Sequence, residues 1–402
     1  MSVGGRDLPD LTALSEDEAL SDAYLLRVLA SLVETKSVNP GIYEADLARM
    51  VSEWLAPTAA TVTFVETFPG RPSVGAVIEG TGSGPRLVLN GHMDTVAIDD
   101  EALWTSDPFA GEIRDGYVYG RGACDMKAGL TVQIAVARFL SQYRDRLRGT
   151  LVLHFAVGEE CGEPGTLSLL DAGFGGDFGI TTEPTELKVA TAERGLAFFT
   201  IRIKGRSIHA SRAHLGLNPV PRLRAVLDVI EAYDREIKDR THPLLPSGSC
   251  TPTVVRAGVK HNAVADYCDI SVDRRLLPGE TVSGELEEIR SRLERIKMDD
   301  PAFGFELSIV PHPFEPAEID SGSAFAKQVL GTVEAVTGKA TEIWGTPYGS
   351  DVRNLVNDAG IEAITFGPGD VTECHCPNER VSITQLRDAA RVTAKVAIDL
   401  LL

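Results

Sequence analysis

Six side chains in this sequence have the types needed to hold cations and activate water. They are His92 in "GHMDTV", Asp125 in "GRGACDMKAG", Glu159 and Glu160 in "GEECG", Glu183 in "TEP" and His375 in "CHCPNE". Imidazole nitrogen with carboxylate oxygen suits Zn²⁺, Co²⁺ or Mn²⁺. Five of the six make a ligand set: His92, Asp125, Glu160, Glu183 and His375. One carboxylate bridging two ions about 3.5–4 Å apart would leave two other ligands for each. Glu159 is then the spare acid. Taken singly, each stretch has an ordinary reading. His-x-Asp is a satisfied loop pair, Glu-Glu a solvated face and Thr-Glu-Pro a turn. The case rests on their joint occurrence in one chain. Cys374 and Cys376 flank His375 and raise thiol ligation as an alternative. In an extended segment they would point away from the direction of His375. No cysteine is marked above the others as a nucleophile. Cys124 and Cys161 are expected to fill small spaces, and His154 to be a core histidine with a partner.

These residues need strands and helices to bring them together. Leu87-Val88-Leu89 and "TLVLHFAV" are short continuous apolar runs, as interior strands covered on both faces require. His92 and Glu159-Glu160 follow directly. Ligand sites in α/β domains form at the carboxyl ends of strands. Apolar residues between about Asp17 and Thr35 predict a helix, ended by "SVNPG". Another is predicted from "DMKAG" to about Leu147, and residues 1–16 are predicted loose and polar. From Gly195 the pattern becomes β-α-β-β-α-β, the ferredoxin-like arrangement. The fold expected is α/β. A helix-flanked mixed sheet forms one domain from residues 1–193 and 313–402, and residues 194–312 form an inserted ferredoxin-like α+β domain.

The chain has 402 residues, enough for two domains. Its net charge of −19, from 39 basic and 58 acidic residues, argues against nucleic-acid and anionic-membrane partners. No apolar stretch reaches the roughly 20 residues of a membrane span. The acidic N-terminus does not read as a secretory signal. Six cysteines are too few for a disulfide scaffold, so a reducing cytoplasm is expected.

The motifs "GHMDTV", "GRGACDMKAG", "GEECG", "TEP", "GRSIHAS" and "CHCPNE" together resemble the dinuclear-zinc amidohydrolases and peptidases of the M20 family. The resemblance spans nearly the whole chain. It implies that His92 and Glu183 hold one ion, Glu160 and His375 the other, and that Asp125 bridges them. It implies that Asp94 orients His92 and that Glu159 is the general base. On the inserted domain it implies that His209 donates to the substrate carbonyl oxygen, often across a dimer interface. Arg275 would grip a substrate carboxylate, and Asn262 would contact substrate. Arg274 is expected to be a solvated or surface pair partner and His261 to be structural. "GSD" (349–351) and "FGPG" (366–369) resemble pocket loops.

Glu at position 183 resembles the deacylase and carboxypeptidase members. The reading is cleavage of an N-acyl amino acid, as by acetylornithine deacetylase or succinyl-diaminopimelate desuccinylase. Two Zn²⁺ ions, or Co²⁺ or Mn²⁺, would assist, in a homodimer joined through the inserted domain. The alternatives are a carboxypeptidase or dipeptidase of the same family, and a metal-free binding protein on the same fold.

Overall fold

A computed structural model describes residues 9–402. The chain divides into two compact units. The first comprises residues 1–191, 319–344 and 350–402, of which 1–8 lie outside the described residues. The second comprises 192–318 and 345–349.

The first unit is built on a mixed sheet. Its strand order is Thr61–Phe68, Arg71–Ile78, Thr150–Ala156, Arg86–His92, Phe178–Thr181, Glu362–Thr365, Val189–Glu193. Four consecutive members, from Thr150–Ala156 to Glu362–Thr365, run parallel. Their carboxyl ends therefore open on one edge, and the segments after them reach a common place. Alternation of side chains puts the two faces of each strand into different cores. Leu87 and Leu89 pack with Leu151, Leu153 and Phe155 on one face. Val88 packs with Val152 and Ala156 on the other. Both faces are covered, which is why the runs carry no polar alternation.

The helix Ala128–Ser141 is buried on nearly every side. The helix Ile383–Leu401 belongs to the same core and is capped by Ser382, which accepts from the Gln385 amide. The helix predicted near residue 17 starts later, at Asp22, with Ser21 as its cap. Part of the stretch expected to be loose is ordered: Leu11–Glu16 is helical, with Asp10 capping Ala13 and Leu14 buried. The remainder of that expectation, residues 1–8, lies outside the described residues. The helix expected to reach Leu147 ends at Ser141.

A small three-stranded sheet joins distant parts of this unit. Arg380–Ser382 pairs with Tyr117–Tyr119, which pairs with Glu112–Arg114. It seats the chain after His375 beside the chain before Asp125.

The second unit holds a four-stranded antiparallel sheet, ordered Ser249–Ala257, Tyr267–Leu276, Gly195–Lys204, Phe305–Ile309. With helices Leu223–Ile237 and Val282–Asp299 it has the β-α-β-β-α-β chain order. Phe199, Ile201 and Ile203 face Val226, Ile230, Ile289 and Leu293 in its core. Between them Phe198, Arg202 and Lys204 are exposed, so this strand alternates as a one-sided sheet must.

Candidate metal centre

The five proposed ligands all belong to the first unit, and the structure brings them together. His92 ends its strand. Gly91 before it is required, because a Cβ there would come within 2.6 Å of Met126 Cε. The His92 Nδ1–H donates to the Asp94 backbone carbonyl at 3.0 Å. A carbonyl can only accept, so Nδ1 carries a proton and Nε2 is the ring nitrogen that faces the carboxylates. Asp125 lies in an irregular turn before the Ala128–Ser141 helix. Its Oδ1 is 3.2 Å from His92 Nε2, and its Oδ2 is 3.1 Å from His375 Nε2. Glu183 follows the Phe178–Thr181 strand and reaches His92 Nε2 at 3.3 Å. Glu160 follows Thr150–Ala156 and reaches His375 Nε2 at 3.1 Å. Each imidazole is thus flanked by one glutamate and by Asp125, which lies between the two. Donor atoms of His92, Asp125 and Glu160 all fall within 4.8 Å of one another.

Glu159 sits beside this cluster, with Oε2 3.9 Å from His92 Nε2. Its neighbours are held by Asp94. Asp94 Oδ1 accepts from the amides of Gly158 (2.9 Å) and Glu159 (3.1 Å), and Oδ2 from the Glu160 amide (3.2 Å) and Asn39 Nδ2 (3.0 Å). The Asp94 carboxylate is 3.5 Å from His92 Nδ1, farther than the Asp94 carbonyl. Asp94 therefore meets the ring through its own carbonyl and steadies the Glu159-Glu160 turn through its carboxylate. The turn itself needs Gly158 at φ +81°, where other residues are strained.

The electrostatics show a surplus of negative charge. Burial, then the charge of Asp125, pushes Glu160 and Glu183 up to about 7. Burial also drives Glu159 well above the usual carboxylate range. Hydrogen bonds with Asp125 and Glu160 push His375 up to about 11. Burial would raise Asp125, but His375 and His92 outweigh it and hold it far below its ordinary value. Buried carboxylates converging on two imidazoles form a donor set that fits divalent cations.

The segment around His375 is a turn, so the alternation of an extended segment does not apply to Cys374 and Cys376. His375 has φ +58° and is exposed. Cys374 Sγ lies 3.6 Å from Cys124 Sγ, and Cys376 Sγ faces the Glu373 carbonyl at 3.1 Å. Among the described residues, the possible metal-holding group contains no cysteine. Cys124 is buried, as a space-filling role requires, but Cys161 is exposed. His154 is fully buried, with Nε2 on the Phe174 carbonyl at 2.7 Å.

Several residues of the site escaped sequence reasoning. Asn39 and Glu163 extend the Asp94 network to Arg71 and Glu44. Asp351, in the "GSD" loop, is buried and accepts from Thr166, which accepts from Asn90. Glu379 accepts the amides of Cys124 and Asp125. "SVNPG" reads only as a helix stop, and Arg71 and Glu44 stand in no motif, so only Asp351 and Glu379 carried a signal, inside quoted motifs. In "FGPG", a Cβ on Gly367 would meet the Thr182 and Glu183 carbonyls at 2.6 Å, so that loop does bring backbone close to a ligand segment.

His209, Asn262 and Arg275 belong to the second unit. His209 is exposed, with Nδ1 accepting from the Ser211 amide at 3.2 Å. Asn262 is exposed in a turn, and its carbonyl accepts from the Ala210 amide. Arg275 forms a two-point pair with Asp273 at 2.8 and 3.0 Å. Arg274, expected to be solvated, is 1% exposed and pairs with Glu280 and Glu285. Its side chain points into the sheet's covered face while Arg275 points the other way. His261, expected to be structural, is exposed.

Carboxylates and imidazoles gathered at the carboxyl ends of parallel strands are the donor set of a metal-dependent hydrolase. The chain belongs to peptidase family M20/M25/M40, whose model matches residues 88–399. That makes it a metallohydrolase of the M20 type, a class acting on amide bonds. It is 26% identical over 395 residues to the N-formyl-4-amino-5-aminomethyl-2-methylpyrimidine deformylase of Bacillus subtilis, with 92% of each chain covered. It is 29% identical over 377 residues to the acetylornithine deacetylase of Myxococcus xanthus, covering 90% of this chain and 93% of the relative. It also resembles the solved YXEP protein of Bacillus subtilis, a dinuclear metal binding peptidase from the M20 family. The TM-score is 0.71 at 20% identity, over 96% of this chain and 99% of that one.

Proposed function

We propose that this protein hydrolyses the amide bond of an N-acyl amino acid, with two divalent ions, Zn²⁺ before Co²⁺ or Mn²⁺, in its first unit. The observation that carries this is Asp125 lying between two imidazoles, each with its own glutamate, and Glu159 beside them. His92 and Glu183 would hold one ion, His375 and Glu160 the other, and Asp125 both. When bound, the ions supply positive charge that acidifies water and polarises a carbonyl. Glu159 Oε accepts a proton from the attacking water and returns it to the leaving amine nitrogen. Its burial favours holding that proton between the two steps. Asp94 holds the turn that carries Glu159 and Glu160 by accepting from both their amides.

For the substrate, Arg275 would grip a free carboxylate with its planar guanidinium, exchanging or sharing the Asp273 carboxylate it holds now. His209 would donate to the carbonyl oxygen and Asn262 would contact the substrate. The named relatives support acyl removal: one removes a formyl group and another an acetyl group. We further assign residues 194–312 as a lid and dimerisation domain. Its edge strand Ser249–Ala257 exposes Val254 and Val255. We assign the enzyme to the cytoplasm, where its six free thiols would stay reduced.

The test is a panel of N-acetyl, N-succinyl and N-formyl amines, with and without an α-carboxylate, run beside dipeptides on protein loaded with Zn²⁺, Co²⁺ or Mn²⁺. Cleavage of acyl amino acids, lost with chelator, is expected. Cleavage of dipeptides alone would make it a dipeptidase or carboxypeptidase. A purified protein that takes up no divalent ion would overturn the reading.

A further inference from the structure

The Glu379 carboxylate is completely buried and is met by the Arg121 guanidinium and by backbone amides among residues 122–125. Its Oε1 accepts from the amides of Cys124 and Asp125, each at 3.0 Å, and its Oε2 from Arg121 Nη1 at 2.5 Å. Two of those donors belong to the backbone that carries Asp125. The need for them is local. Asp125 and Met126 depart from helical geometry, at φ −119°, ψ 99° and φ −128°, ψ 37°. Cys124 and Asp125 also open the Ala123–Lys127 turn, and the first amides of such a turn have no acceptor within it. Buried amides without acceptors are costly, and Glu379 satisfies both with one oxygen.

Glu379 also stands four residues beyond His375. Its carbonyl accepts from the Gly120 amide at 2.9 Å, and Arg380 continues into the strand paired with Tyr117–Tyr119. The same residue thus anchors the His375 turn by its backbone and the Asp125 turn by its side chain. The distance between these two turns sets the 3.1 Å separation of Asp125 Oδ2 from His375 Nε2.

We propose that Glu379 is a positioning residue for the metal centre: it fixes the Asp125 turn against the His375 turn so that one carboxylate can face both imidazoles. This rests on the two-ion reading above. The bland alternative is that Glu379 serves only to neutralise buried Arg121. The two roles separate by variant. Glu379→Gln keeps an acceptor at the same reach but loses the charge opposite Arg121. Glu379→Asp keeps the charge but withdraws the oxygen from the amides. Glu379→Ala removes both.

The experiment is zinc affinity by competition with a chromophoric chelator, on the full chain, beside melting temperature by circular dichroism. Positioning predicts that Glu379→Asp and Glu379→Ala bind zinc about 10–100-fold more weakly while folded. Glu379→Gln should stay within a few-fold of the parent even if it melts lower. Parent-like affinity in folded Glu379→Asp and Glu379→Ala overturns the proposal. So does an affinity that follows melting temperature through all three variants. Should Glu379→Ala fail to fold, the Gln and Asp variants decide. Collapse of all three makes the carboxylate a folding element and overturns positioning. A parent protein that binds no zinc would instead fail the two-ion reading.

Discussion

Glu159 and Glu160 are neighbours in the chain but face different partners: Glu160 meets His375, while Glu159 stays beside His92 without closing on it. Asp94 holds the backbone between them by accepting from both amides. Exchanging Glu159 for Gln keeps shape and removes the proton carrier. Glu159→Gln should bind metal as the parent does, by elemental analysis, and turn over about 10²–10⁴-fold more slowly. A variant as fast as the parent would remove Glu159 from the reaction. His154 offers a prediction independent of the centre. Burial holds it down to about 4, below its ordinary 6.5. Between those values the unfolded chain binds the proton and the folded one does not. Its contribution to stability is therefore complete above pH 6.5 and is lost as pH falls toward 4. The loss from neutral pH to about pH 5 is roughly 2 kcal/mol. Urea unfolding at both pH values should show it in the parent, and His154→Gln should lack that part of the slope.

At the scale of elements, the parallel strands do the positioning, and the helix Ala128–Ser141 locks them. Gly129 in this helix sits against the segment before Glu183: a Cβ there would meet the Thr182 carbonyl at 2.1 Å. Helix propensity alone would make Gly129→Ala stabilising by about 1 kcal/mol. The backbone it would strike cannot move without displacing Glu183. Gly129→Ala should therefore destabilise by about 1–3 kcal/mol in a urea titration and weaken zinc binding in the same protein. The strands were legible because full burial on both faces leaves an unbroken apolar run, as in Leu87–Leu89 and Thr150–Val157. The helices of the second unit were legible by their one-sided apolar spacing. The Ala45–Leu55 helix has that spacing too, but lacks a side-chain cap to announce it. The conformation of the His375 turn was not legible, because its positive φ falls on a residue other than glycine. Arg274 was misjudged because two adjacent arginines look alike until strand register sends one inward. Asn39, Arg71 and Glu163 were illegible as a group, since their connection is purely spatial.

At the scale of the whole molecule, two units have separate cores, and the proposed cations belong to one of them. Stripping them should loosen only the segments that converge there. Hydrogen exchange by mass spectrometry, with and without chelator, should rise at residues 122–127 and 157–163. Exchange at residues 199–203, in the second unit's sheet, should stay unchanged. Uniform acceleration would mean that the ions support the entire fold and not a local centre. Among the described residues, no helix is long and apolar enough to cross a membrane.

The donor groups are spread from position 92 to position 375, and Glu379 lies later still. Synthesis must pass His375 before any cation can find its full set of partners. Until then the growing polypeptide carries clustered acids with nothing to neutralise them, and cation capture becomes a late event of synthesis. A stop codon upstream of "CHCPNE" would remove the second imidazole together with the Ile383–Leu401 helix of the same core.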